Sequence, residues 1–380
     1  LWDLHGVDRI SGGFFEEVAF DAAASAWRAT GEIRRGRVVA RQIYVFEAGE
    51  RLGWRSRFSS PIDHGCNFLF SNMHEGGGRF HTSIHASTRE PAAPFSLYEH
   101  AFYLFALAGV NRSRSQRYPI AETASSSLEW LREHYGKVEG GFEESIPSSV
   151  PLKSNPHMHL LEAALAWIDV SHGESRRPWL ALAQELVTLC LTYFVDSRTG
   201  AIREFFDACW QPLREAGRIV EPGHQFEWAW LLMRWASLPH IDAAQRTRID
   251  AAAARLLDIA ERWGVDPTRG VAVNEIWDDM TAKDSAAKLW PQTERLKAWC
   301  ATLARSRTPS DVARASLKVV AAAEGLLEYL ETKIPGLWHE VWSADREFLP
   351  GPSKASSLYH IVCAIDELTQ TIQTCNRSVL

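Results

Sequence analysis

The chain has 380 residues, 46% hydrophobic and 23% charged, with 41 Lys+Arg against 47 Asp+Glu for a formal net charge of -6. That length accommodates a large core. The interspersed charges argue against nucleic acid as the main partner, and no run of about 18 apolar residues offers a membrane span. The opening LWDLHGVDRI has neither the basic start nor the apolar run of a signal peptide, and six scattered cysteines without CxxC spacing fit free thiols, so a cytoplasmic protein is expected.

A glycine followed by bulky apolar and acidic residues recurs along the chain, in GGFFEE, GGGRFHT, GGFEES, GAIREFFD, GVAVNEIWDD and GLWHEVWSAD. With Gly13, Gly78, Gly141, Gly200, Gly270 and Gly336 as anchors, the separations are 65, 63, 59, 70 and 66 residues. A period that long holds two helices and a turn, and six periods make twelve helices. The intervening text is helical in pattern: residues 94–110, 157–170, 179–196, 224–238, 244–264 and 315–332 place apolar side chains at intervals of three and four. Some of these segments are apolar almost all round and require burial on two sides; others carry a polar face. The expected fold is all-α, an (α/α)6 barrel of six inner and six outer helices in a single domain, 1–380, with the glycines in short hairpins. An open α solenoid is the rival, but it would need capping repeats at both ends.

Polar residues at the starts of the inner helices are the candidates for a central pocket. In RQIYVF, Arg41, Tyr44 and Phe46 combine a fixed charge, a hydroxyl and an aromatic face. In NPHMHLLEA, Asn155 is placed as the helix cap and Pro156 at the first helical position, so that His157 and His159 fall in the first turn with Glu162 three residues beyond His159. Positions i and i+2 diverge on a helix, and no third clustered ligand follows, so no metal is expected. EPGHQFEWAW puts His224 at a helix start behind Gly223, read as a sharp turn, with Glu227 three residues on. LWPQTERLKAW offers Trp290 as a stacking face, with Gln292 and Glu294 behind it, and KASSLYHIVCAIDEL supplies His360 in the last apolar helix. Each histidine also has a plain structural reading, as a helix-end or core residue. The sixteen tryptophans divide between core packing, expected for more than half, and flat faces suited to sugars. There is no GxGxxG, no GxxxxGK[ST] and no serine nucleophile elbow.

Taken together, RQIYVF, NPHMHLLEA, PGHQFEWAWLL, LWPQTE and the late YHI span nearly the whole chain, and in this order they resemble the N-acylglucosamine 2-epimerase family. The FEW form of GHQFEWAW is similar to the family's D-mannose isomerase branch. The resemblance implies an (α/α)6 barrel, no cofactor and no metal, and a small monosaccharide substrate; nucleic acid and membrane are not among the expected partners, and a homo-oligomer is compatible with it. It also implies site roles for Arg41, His159, His224, Glu227 and His360, with His224 and His360 the acid/base pair, and Tyr44, Trp290, Glu294 and Asn155 toward the sugar. The activity so implied is interconversion of D-mannose and D-fructose through an enediol, with 2-epimerisation of cellobiose or N-acylglucosamine type as the alternative. A glycoside hydrolase built on Glu227, Asp278, Asp279 or Glu294, and a non-enzymatic glycan-binding module, are the readings from other classes. The segment DHGCNFLFSNMHEGGGRFH departs from the family pattern.

Overall fold

The computed structural model describes the backbone of residues 1–379 and the side chains of residues 1–375. Among them are twelve α-helices: α1 (Trp2–His5), α2 (Gly36–Arg51), α3 (Pro61–Phe68), α4 (Leu97–Arg114), α5 (Ile120–Tyr135), α6 (Ser154–Val170), α7 (Arg177–Leu189), α8 (Pro222–Ala236), α9 (Ala243–Trp263), α10 (Leu289–Arg305), α11 (Pro309–Leu330) and α12 (Ala355–Val379). The fold class is the expected one, all-α of the (α/α)6 type. Burial separates the two kinds of helix. All of α8 except Arg234 is buried, whereas the buried residues of α9 are a stripe through Ile249, Ala253, Leu256, Leu257, Ile259 and Ala260. A helix buried all round must lie inside, and a one-striped helix must cover it. Nine of the sixteen tryptophans are buried, so core packing accounts for more than half of them.

The chain divides into two compact units. The first comprises Leu1–Leu189, Asp207–Trp210 and Pro352–Tyr359. In it α4 packs between α2 and α6, while α3, α5 and α7 lie against α2, α4 and α6 respectively. The start of α12 docks on α2, where Gln42 Nε2 donates to the Ala355 carbonyl at 2.8 Å. The second unit comprises Cys190–Phe206, Gln211–Gly351 and His360–Leu380, and pairs α8 with α10, each covered by its own outer helix, α9 or α11.

All six anchor glycines have positive φ, between 68° and 92°. At Gly78 the need is also steric, since a Cβ there would sit 2.2 Å from the backbone nitrogen of Ser127. Three of the anchors, Gly13, Gly200 and Gly270, close short hairpins after helices, held by a side-chain carboxylate that accepts backbone N–H groups: Asp8 from Ile10 and Ser11, Asp196 from Arg198 and Thr199, Asp266 from Thr268 and Arg269. That is Asx-turn chemistry repeated along the chain.

A second device repeats four residues into the inner helices. Gln225 accepts from Ile202 N–H at 2.7 Å and donates back to its carbonyl, and Gln292 does the same to Ala272 at 2.7 and 2.8 Å. In the first unit His157 takes this place: its Nε2 accepts from Phe142 N–H at 3.0 Å, and Nδ1 donates to the Lys153 carbonyl at 2.9 Å. Each side chain ties the strand after a glycine hairpin to the following inner helix, so buried backbone groups are satisfied.

The atypical segment is local structure: Ser60 caps α3 by accepting from Asp63 N–H, the helix runs on through a wide turn at Leu69–Met73, and His74–Gly76 pairs with Arg79–Phe80 around Gly77 and Gly78. The hairpin Glu17–Asp21 with Ala26–Thr30, which pairs Val18 with Ala29, interrupts the helical text early in the chain.

Candidate active site

In the first unit the predicted residues lie on α2 and α6, next to Tyr98 and Phe102 of α4. Arg41 is buried; its guanidinium donates to Tyr98 Oη at 3.1 Å and to the Ser356 carbonyl at 3.3 Å, and lies 4.0 Å over the Phe102 ring and 4.8 Å over Tyr359. Planar stacking and a fixed donor fork are what an arginine supplies and a lysine does not. Nδ1 of His159 is 3.2 Å from Glu162 Oε2, and the other oxygen of Glu162 accepts from Tyr359 Oη at 2.6 Å. The ring of His159 sits beside Tyr98 and Phe102. Tyr44 packs on Phe105 with centroids 4.4 Å apart.

His157 and His159 do diverge. His157 serves the hairpin, and burial takes it down to about 4, so it is neutral. Asn155 is not the cap: α6 begins at Ser154 behind Lys153, no side chain caps it, and Asn155 falls inside the first turn. The helix starts two residues earlier than its capping propensity suggested.

The second unit holds the two other histidines. Nδ1 of His224 donates to Glu204 Oε2 at 2.9 Å and lies 3.6 Å from Glu221 Oε2. Burial by itself would lower the imidazole's affinity for a proton, but Glu204 and Glu221, with a smaller contribution from Glu227, outweigh it and raise His224 to about 10. Glu221 moves up to about 7, first through burial and then through the neighbouring Glu204. These groups make His224 an imidazolium at neutral pH. Glu204, Glu221 and His224 bring ligand atoms within 4.8 Å of one another, a donor set able to hold a divalent cation.

His360 is built differently. Its Nδ1 donates to Glu294 Oε1 at 2.9 Å, and the other carboxylate oxygen accepts from Lys297 Nζ at 2.6 Å. Glu294 and Lys297 are both wholly buried. Burial would raise the Glu294 carboxyl, but Lys297 and His360 overcome it and hold the group below its ordinary value. Between the two histidines stands Trp290, half-buried, its ring centroid 5.0 Å from His224 and 6.0 Å from His360. Gly223 lies under this indole. A Cβ would come within 2.4 Å of the ring, so the glycine is required for close approach and not, as its sequence suggested, for a sharp turn.

Three expectations change at this point. Glu294 directs both oxygens to protein partners, orienting His360 instead of standing open toward a ligand. Gln292 is occupied with the Ala272 backbone. The principal partner of His224 is Glu204, ahead of Glu227. Sequence reasoning missed Glu204, Glu221 and Lys297. Glu204 sits in the quoted GAIREFFD hairpin, twenty residues from His224, where no periodicity points. Lys297 did carry a signal, a charge three residues after Glu294 on an inner helix.

Inner helices of this all-α fold carry imidazoles paired with carboxylates beside an indole. The structure resembles cellobiose 2-epimerase of Bacillus thermoamylovorans B4167 (TM-score 0.81, 16% identity, 97% of this chain and 95% of that one) and a D-mannose isomerase (TM-score 0.79, 18% identity, 97% and 94%). In sequence it is 37% identical to the mannose-6-phosphate isomerase of Rhizobium meliloti (strain 1021), over 98% of this chain and 94% of the relative. Residues 13–364 match N-acylglucosamine 2-epimerase (GlcNAc 2-epimerase), and the chain belongs to that family. Among the described residues no helix is long and apolar enough to cross a membrane.

Proposed function

We propose that this member of a sugar isomerase and epimerase family interconverts D-mannose and D-fructose. The observation that carries the reading is the pair of buried histidines, each on a buried carboxylate, on either side of one half-buried tryptophan. An indole face suits the C–H face of a pyranose or an open-chain sugar. With the aldose opened, a neutral imidazole takes the C2 proton; the C–H electron pair forms the C1=C2 bond, and an imidazolium gives its proton to O1. The resulting enediol then loses the O2 proton and gains one at C1, yielding the ketose. Such transfers need groups of opposite protonation state near the working pH. In the first unit Arg41 is read as polarising the carbonyl or orienting sugar hydroxyls through its donor fork, and His159 as a further catalytic residue. The 37% identity to a relative named for mannose-6-phosphate isomerisation supports mannose as the parent sugar.

The second reading, 2-epimerisation, is favoured by the structural likeness to a cellobiose 2-epimerase. It uses the same imidazoles, with the proton returned to the opposite face of C2. Proton NMR in deuterium oxide with mannose, glucose, mannose 6-phosphate, cellobiose and N-acetylglucosamine separates the two. Fructose formation with label at C1 is the expected result, and a C2 epimer without ketose overturns the isomerase assignment. His224→Asn and His360→Asn are each expected to lower turnover by about 10²- to 10⁴-fold with melting unchanged in kind. A folded His224→Asn protein retaining half the parent rate removes His224 from the chemistry.

A further inference from the structure

The two outer helices of the second unit present different faces outward. On α9 the exposed positions include Gln245, Arg248, Arg255, Asp258 and Arg262, a polar face of the kind a cover helix shows to water. The outward side of α11 is apolar. Leu317 is 73% exposed, Val320 and Leu327 are 54% exposed, and Ala313 is exposed one turn before Leu317. At 3.6 residues per turn, positions 313, 317, 320 and 327 fall on one stripe about 21 Å long. It faces away from the buried side of the helix, which runs through Ala315, Val319, Ala322 and Leu326. A contiguous exposed apolar stripe marks an interaction surface.

Charge along this stripe is polarised. Arg314 flanks its N-terminal end, Glu328 lies on the same flank at its C-terminal end, and Glu324 sits at the stripe's edge between them. Among the described residues neither glutamate has an ion-pair partner, and Arg314 meets Asp311 at 2.8 Å with both side chains exposed. Lys318, the other cation of this stretch, is committed to Glu261 of α9 at 2.8 Å.

We propose that this face binds a second copy of the chain, α11 against α11, antiparallel about a two-fold axis at Val320. A contact of that symmetry must be complementary to itself when reversed. With Val320 on the axis, Ala313 of each copy meets Leu327 of the other, Leu317 meets Ala323, and Arg314 reaches Glu328. Large side chains then fall on small ones and the basic end falls on the acidic end. A parallel pairing would instead set Arg314 on Arg314 and Glu328 on Glu328. The apolar stripe supplies the affinity, and the charged flank sets direction and register.

Sedimentation velocity on the whole protein from about 1 to 200 µM, the range in which a small interface titrates, is expected to show monomer passing to dimer. A monomer throughout overturns the proposal. Leu317→Asp is expected to weaken the dimer by about tenfold or more, with melting of the monomer unchanged because the side chain is exposed. Arg314→Glu and Glu328→Arg should each weaken it by about threefold to tenfold, and the double variant should recover most of the loss. Val320→Cys, in a Cys209→Ser, Cys375→Ser background that removes the less buried thiols, should give a disulfide-linked dimer on oxidation. A dimer indifferent to Leu317→Asp, left uncrosslinked by Val320→Cys, or not rescued by the charge exchange overturns the proposal. These readouts involve no sugar, so they stand apart from the isomerase assignment.

Discussion

His224 on α8 and Glu204 in the preceding hairpin meet at 2.9 Å with both side chains buried. The hairpin can present Glu204 there because Gln225, the next residue along α8, holds Ile202 by two hydrogen bonds. Backbone ties and the chemical pair are thus built from adjacent residues, and the imidazole is oriented by a charge on a strand that the helix itself anchors.

Replacing that charge while keeping its shape isolates the effect. Glu204→Gln should lower kcat/KM by about 10²-fold at neutral pH. The alkaline limb of the profile should move down by at least about one unit, since an opposing charge within hydrogen-bond range no longer favours the imidazolium. A profile unchanged in position would assign Glu204 to packing alone.

Stability should depend on pH in a way the buried histidines dictate. Because His224 is raised from 6.5 to about 10, its contribution is fully present below pH 6.5 and is lost as pH rises through 10. Glu221, raised from 4.5 to about 7, adds a loss of the same sign between those values. His100 and His157 are lowered by burial to about 4 and act oppositely: the stability they confer is present above 6.5 and lost as pH falls through 4. Thermal melting should therefore decline toward pH 10, and His224→Asn should flatten that decline without changing the acid side. Equal slopes in parent and variant between pH 7 and 10 would exclude this account of His224.

His157 and His159 lie two residues apart and should respond differently to substitution. His157→Gln places at this position the side chain that the second unit uses for the same hairpin tie, and should cost under about 1 kcal/mol with activity retained. His157→Ala leaves Phe142 N–H buried without its acceptor and should cost about 1–3 kcal/mol. Chemical denaturation of both variants checks the pair; a large activity loss in a stable His157→Gln protein would contradict it.

For Arg41, charge alone is not enough. Arg41→Lys keeps the cation but gives up the planar stack on Phe102 and Tyr359 and the two-directional donation to Tyr98 and Ser356. Activity should drop by about tenfold or more, and kcat and KM measured separately will assign the loss to turnover or binding. Parent-like values of both would make the arginine a replaceable core cation.

The repeat and the helix class are local properties, and the sequence by itself determined them: a glycine every sixty-odd residues marks a left-handed turn, apolar spacing marks the helices, and the candidate residues His224, His360 and Trp290 fall in the first two turns of inner helices. What tertiary structure alone decided is partnership. Glu204 reaches His224 from a hairpin, Lys297 and His360 converge on Glu294 from two helices, and His157 is withdrawn from its neighbour His159 by a backbone N–H fifteen residues away. A buried charge takes its protonation from whatever surrounds it in space, and helical or strand periodicity carries no information about contacts between elements.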